Sequence, residues 1–142
     1  MANLFATRTN AAGNTEVRIN GVELNWENLQ QPRMDMNGNR VFDVQMVVAE
    51  KDAEKVSNLI SNFNPSTRKF TARRMVFAGK PRVVDAEGQV MTSRVGNGSK
   101  GNVIMEQRTS KAGFPYMSLV AVQVTELVDY DAYKASDDNF MF

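Results

Sequence analysis

In one stretch of this chain, Asp52 to Phe63, the apolar residues recur at three- and four-residue steps. Ala53, Val56, Leu59, Ile60 and Phe63 thereby fall on one side of a helix, with Asp52 placed to cap its start and Asn64-Pro65 placed to stop it. The other apolar runs keep step two, the period of a strand with one covered face. Arg40 to Ala49 is the clearest: Phe42, Val44, Met46 and Val48 share a face, and Arg40 stands at its open end. One short amphipathic helix among several half-apolar strands is best buried as a small β-barrel or strongly bent sheet that the helix covers.

The remaining segments follow in order. Residues 1–16 are small and polar and predict a loose arm, while Val17 to Leu24 alternates about Asn20-Gly21, a hairpin signal. Asn25 to Pro32 leads into a turn-rich loop at Asp35-Met-Asn-Gly-Asn39. Arg68 to Phe77 predicts a strand, Asp85 to Gly88 a turn, Val103 to Gln107 a strand, and Gly113 to Tyr116 a turn. Met117 to Val128 is the last strand, with Val120, Val122, Val124 and Val128 on one face. There is no repeat. We expect one domain over residues 1–128 and a flexible acidic tail over 129–142, where four acids meet one lysine without helical or strand period.

Composition enters through what it removes. The chain has neither Cys nor His, which excludes disulfides, thiolate metal sites and histidine acid–base chemistry. No apolar run is long enough to cross a bilayer and the first residues lack a signal pattern, so the expectation is a soluble intracellular protein with no membrane partner. The net charge of +1 conceals an asymmetry: residues 125–142 carry five acids and one lysine, leaving 16 cations against 11 acids in residues 1–124. Such a basic body with an acidic end points to a polyanion.

Two segments concentrate the cations. Residues 68–84 hold six cations and no acid. Cations that track phosphates, interleaved with flat side chains that stack bases, are what a single-strand binder requires. Arg73, Arg74, Lys80, Arg82 and Phe77 fit that pattern. On a strand Arg73 and Phe77 share one face and Arg74 and Phe70 the other, and only one face can meet a ligand; we favour the first. The second segment, Arg94-Val-Gly-Asn-Gly-Ser-Lys-Gly-Asn-Val-Ile104, sets three glycines, at 96, 98 and 101, beside two cations, Arg94 and Lys100. Backbone N–H groups of such a loop could meet phosphates beside the two cations. The same glycine spacing occurs in dinucleotide-binding and kinase loops. A strand-like run follows it here, with no βαβ unit and none of the kinase motifs downstream.

Further candidates are Arg40 as a rim cation, and Phe114 and Tyr116 on a hairpin tip, where stacking suits them better than burial. Phe42, Phe63 and the methionines are assigned to packing, and Trp26 fits a core or a stacking role equally.

Several blocks, in order, resemble the single-stranded-DNA-binding proteins of bacteriophages, such as T7-like podophages and phage Enc34. They are Leu24-Asn-Trp-Glu-Asn-Leu29, Arg40-Val-Phe-Asp-Val-Gln-Met-Val-Val48, Pro81-Arg-Val-Val-Asp-Ala-Glu-Gly88, Val95 to Val103 and Leu119-Val-Ala-Val-Gln-Val124, closed by the acidic, aromatic Asp137-Asp-Asn-Phe-Met-Phe142. The resemblance implies an OB-fold, a five-stranded Greek-key barrel with one covering helix. It also implies a protein of the infected bacterial cytoplasm that coats and protects single-stranded DNA during replication and recombination. Sequence preference would be small. On the same ground Asp137, Asp138, Phe140 and Phe142 form a tail that recruits phage replication proteins, polymerase or helicase-primase. The tail here is less acidic than the resemblance leads one to expect. A homodimer is left open, and no cofactor or metal is implied.

Two other classes compete. A metal-dependent nuclease would need converging carboxylates, for which Asp35, Asp43, Asp85 and Glu87 are available without a paired spacing. A virion or other structural β-protein would leave the acid-free basic segment unexplained.

Overall fold

A computed structural model of the chain describes residues 4–60 and 62–129. The expected tail residues Asp137, Asp138, Phe140 and Phe142 lie outside the described residues. Seven strands, β1 (Phe5–Thr9), β2 (Thr15–Met34), β3 (Arg40–Val47), β4 (Lys69–Met75), β5 (Arg82–Val84), β6 (Ser99–Thr109) and β7 (Pro115–Glu126), join in one sheet. One helix, α1 (Ala53–Leu59), follows a single 3₁₀ turn at Glu50–Asp52 and lies between β3 and β4.

Five of these strands close on themselves. β2 pairs with β3, β3 with β4, β4 runs parallel beside β7 at Arg73 and Ser118, β7 pairs with β6, and β6 returns to β2. This strand order is that of an OB-fold barrel, as the sequence led us to expect. Two strands are additional: β1 folds back on the start of β2, and β5 lies parallel along β7. The barrel interior is filled by Ile19, Leu24, Val44, Met46, Met105 and Leu119 among others. Val56, Ile60 and Phe63 seal one side of it, with Phe63 edge-on to Phe70 at 6.1 Å. The helical face predicted from the three- and four-residue steps is thus the one that is buried. No helix among the described residues is long and apolar enough to cross a membrane.

The chief corrections fall on β2. Asn20-Gly21 is not a hairpin turn. Residues 16–24 pair continuously with β6 apart from a bulge between Ile19 and Val22, where Gly21 takes φ +69° and donates its N–H to Asn102 Oδ1 at 3.1 Å. A second irregularity lies between Asn25 and Asn28, where Trp26 takes φ +50°. The buried residues of β2 therefore run Val17 and Ile19, then Val22 and Leu24, then Glu27 and Leu29. Each bulge slips the parity by one residue and keeps an apolar side chain turned inward while the strand bends around the barrel. The expected loose arm at 1–16 instead supplies β1 and its turn, and Asn25 to Pro32 remains strand rather than leading straight into a loop.

Four of the hairpin turns share one design. Asn10–Asn14, Asp35–Asn39, Asp85–Gln89 and Ser110–Phe114 each begin with a short polar side chain that accepts backbone N–H groups within the turn. Each carries glycine at the fourth position with φ between +82° and +87°. A left-handed residue there lets a short loop join two twisted strands.

Candidate nucleic-acid interface

The parity of β4 decides which of its faces meets solvent. Phe70 and Ala72 are buried and Arg73 is exposed, so the alternative face carrying Phe70 belongs to the core. β4 ends at Met75, and Phe77 stands on a 3₁₀ turn, Val76–Ala78, rather than on the strand itself. That turn is held by Arg74, whose guanidinium donates to the carbonyls of Gly79 at 2.8 Å, Ala78 at 2.6 Å and Leu119 at 3.2 Å. Arg74 therefore acts as a structural clasp for this turn. The result of the clasp is that Phe77 projects into solvent, 91% exposed.

Beside this turn runs an open groove of about 790 Å³. Its floor is the outer face of β4, with Thr71, Arg73 and Met75; one wall is the β6–β7 hairpin, with Arg108, Lys111, Phe114 and Tyr116; Arg33 contributes from the end of β2. Phe114 is 70% exposed and Tyr116 45%. Three aromatic side chains and four cations therefore line one trough. In barrel order β3 and β4 are the second and third strands, the turn Asp35–Asn39 joins the first two, and the turn Ser110–Phe114 joins the last two. In OB-folds this face and these two loops bind oligonucleotides.

Each arginine of the groove rests on a carboxylate beneath it. Arg33 donates to Asp43 Oδ2 through Nε at 2.7 Å and Nη2 at 2.6 Å, while Asn28 Nδ2 donates to Asp43 Oδ1 at 2.9 Å. Hydrogen bonding to Asp43 holds the Arg33 guanidinium above its ordinary pKa. Arg108 Nε donates to Glu106 Oε1 at 2.5 Å, and Asn10 Nδ2 donates to Glu106 Oε2 at 2.5 Å. Burial pushes the Glu106 carboxyl up, but the bonds from Arg108 and Asn10 outweigh it and leave it below the usual carboxylate range. Arg73 Nη1 lies 3.7 Å from Asp35 Oδ2. Backbone N–H groups of Asn39 and Asn37 lower the Asp35 pKa. Of the carboxylates considered for a nuclease, Asp43 is thus committed to Arg33, Asp35 accepts the N–H groups of Asn37 and Asn39 in its turn, and Asp85 accepts those of Glu87 and Gln89 in another.

The other candidates are not among the residues that line the groove. Arg82 on β5 lines a separate pocket with Arg18, Asn102 and Gln123. Lys80 donates to Gln30 Oε1, Arg40 opens β3 opposite Met34, and Lys100 lies 3.8 Å from Glu126 on an exposed surface. Arg94 is paired with Glu27, a carboxylate only 1% exposed, and also donates to the Glu27 carbonyl at 3.0 Å. The glycine stretch offers few free amides: Gly96 N–H donates to Val128 O, Gly98 N–H to Leu24 O and Asn25 Oδ1, and Ser99 N–H to Gly96 O. Gly101 lies inside β6, where an added Cβ would overlap the carbonyl oxygen of Gln123. Gly101 serves close packing, and Gly98 takes φ +90° in the turn. Trp26 is exposed, its N–H held by Asn97 Oδ1 at 2.7 Å, and it is not among the groove residues.

Sequence reasoning missed Arg33, Arg108 and Lys111. Arg108 and Lys111 flank the same turn that flagged Phe114 and Tyr116, so extending that hairpin tip by a few residues would have found them. Arg33 carried no signal, because it falls between the stretch that ends at Pro32 and the loop that begins at Asp35.

No protein-family model matches this chain, and no curated protein matches it. Among solved structures, its fold is similar to that of the single-stranded DNA-binding protein from bacteriophage Enc34, with TM-score 0.56 and 10% identity over 92% of this chain and 99% of that one. It is similar also to gp2.5, a single-stranded DNA-binding protein encoded by bacteriophage T7, with TM-score 0.59 and 16% identity over 88% of this chain and 90% of that one. The likeness is one of fold, and it spans nearly the whole of both chains.

Proposed function

We propose that this chain binds single-stranded DNA in the groove over β4 and the β6–β7 hairpin, with little sequence preference and without chemistry on the strand. The observation that carries this is the convergence of exposed Phe77, Phe114 and Tyr116 with half-exposed arginines on one OB-fold face. Large aromatic side chains left in water are costly unless something covers them, and every base presents a π-face to cover them. The likeness of fold to two phage single-stranded DNA-binding proteins supports the same ligand.

On this basis the protein coats and protects single strands during phage replication and recombination in the host cytoplasm. We extend the proposal to the chain's acidic end: Asp137 and Asp138 steer, and Phe140 and Phe142 anchor, a replication protein such as a polymerase or helicase-primase. Fluorescence anisotropy with a labelled oligo-dT strand and a duplex of equal length tests the central claim. The strand should bind well in preference to the duplex, and the double substitution Phe77→Ala/Phe114→Ala should abolish that preference. Equal binding of both forms by the unaltered protein would argue for a duplex or general polyanion binder.

A further inference from the structure

The groove holds four cations, yet three of them stand on carboxylates. Asp43 and Glu106 are nearly enclosed beneath Arg33 and Arg108, and Asp35 lies under Arg73. Lys111 is exposed, and no ion pair to it is found among the described residues. The local net charge is therefore +1 and not +4. A phosphate entering the trough meets guanidinium groups already paired with carboxylates, whereas a base meets three exposed rings and two guanidinium groups, of Arg33 and Arg108, hydrogen-bonded to their carboxylates. Guanidinium planes stack on flat π-systems, and pairing leaves that capacity intact while removing the entropy cost of ordering the side chain.

We infer that the groove recognises its strand chiefly through unpaired bases, with the arginines acting as carboxylate-anchored shelves and Lys111 as the main free phosphate contact. This rests on the groove being the nucleic-acid site and deepens it. Asp43 and Glu106 become positioning residues. Their role is to hold planar cations flat, and in doing so they make binding tolerant of salt. The ligand class follows: a single strand with its bases present, in preference to polyanions that offer charge alone.

The experiment uses the full chain and two labelled probes of equal phosphate number, oligo-dT and the same backbone carrying abasic residues. Stacking contributes about 5- to 150-fold in affinity per base. The abasic probe should therefore bind at least tens of times more weakly, and heparin should compete poorly. The log–log salt slope for oligo-dT should lie at about 0.7–1.4, one or two phosphates' worth, against about 2.8 if all four cations released counterions. Asp43→Asn provides the positioning readout, with a thermal melt confirming that it folds. Freed from its anchor, Arg33 should act as an additional mobile charge. The slope should steepen by about 0.7 while affinity at high salt falls. Equal affinity for both probes with a slope near 2.8 would overturn the inference and leave the groove as a charge-driven site. Failure of both probes to bind at low salt would instead overturn the assignment of the groove to nucleic acid.

Discussion

The β6–β7 hairpin and the glycine stretch at residues 94–101 look alike as text: each is short, polar, glycine-containing and cationic. The barrel treats them oppositely. In the glycine stretch the amides of Gly96, Gly98 and Ser99 are spent on neighbouring backbone and side chains, Arg94 neutralises the enclosed Glu27, and Gly101 permits β7 to pass at close range. The hairpin turn closes on its own residues, through Ser110, Gly113 and Phe114, and asks nothing more of its side chains. Lys111, Phe114 and Tyr116 are left facing solvent beside Arg73 and Phe77. A segment whose polar groups are used to close a barrel cannot also meet a ligand, whereas a self-sufficient turn can.

The contrast breaks most visibly if the glycine stretch proves tolerant. Gly101→Ala forces a Cβ against the Gln123 carbonyl, a backbone clash that no side-chain rotation relieves, and should cost about 3 kcal/mol. That amounts to a fall of about 10 °C in thermal midpoint for a domain of this size. An unchanged melting curve would mean that β6 and β7 are not packed as described.

Arg94→Ala comes next. It strips the partner from an enclosed carboxylate and should lower stability by about 2 kcal/mol, the low side for such a pair because water reaches half of the guanidinium. Once folded, the variant should bind oligo-dT like the unaltered protein. A loss of affinity without a loss of stability would return Arg94 to the binding face.

At the exposed rings of the groove the expected pattern reverses. Phe114→Ala and Phe77→Ala should each weaken oligo-dT binding by about 1–3 kcal/mol. Their urea midpoints should move by no more than about 0.5 kcal/mol equivalent, since both rings are already in water. Early melting with normal binding would make them packing residues. Lys111→Ala is subtler: a salt slope flatter by about 0.7, visible in a titration from low to moderate salt, with stability untouched. No change in slope would remove it from the contact set.

The smallest effect concerns acid. The Glu106 carboxyl is held below its ordinary pKa of 4.5, so the stability it contributes is present above that ordinary value. It is lost as pH falls from about 4.5 through the depressed folded value. Glu106→Gln should flatten the stability–pH curve in that window; a curve that coincides with the unaltered protein's would show that Arg108 is not anchored there.

Much of the architecture was legible in the text. The strand period of Phe42, Val44 and Met46 and the helical period of Val56, Ile60 and Phe63 report burial directly, because a core accepts only apolar side chains and regular elements repeat at fixed steps. The turns at Asp35 and Asp85 were legible for a similar reason: a short acceptor and a glycine at a set offset satisfy the turn locally. Phe114 and Tyr116 belong here too, since large rings on a hairpin tip have little to pack against.

The rest was decided by pairings between distant residues. Asn20-Gly21 became a bulge because β6, some eighty residues later, pairs across it. Arg94 closes on Glu27 over a separation of 67 residues. Arg74 clasps Leu119, whereas Arg73, one residue earlier, points into the groove. Strand period states which face a cation occupies, but not which carboxylate or carbonyl the opposite side of a closed barrel brings to meet it. The sequence therefore determined that the protein is a barrel with a basic body, and the tertiary structure alone selected which of its cations remain free.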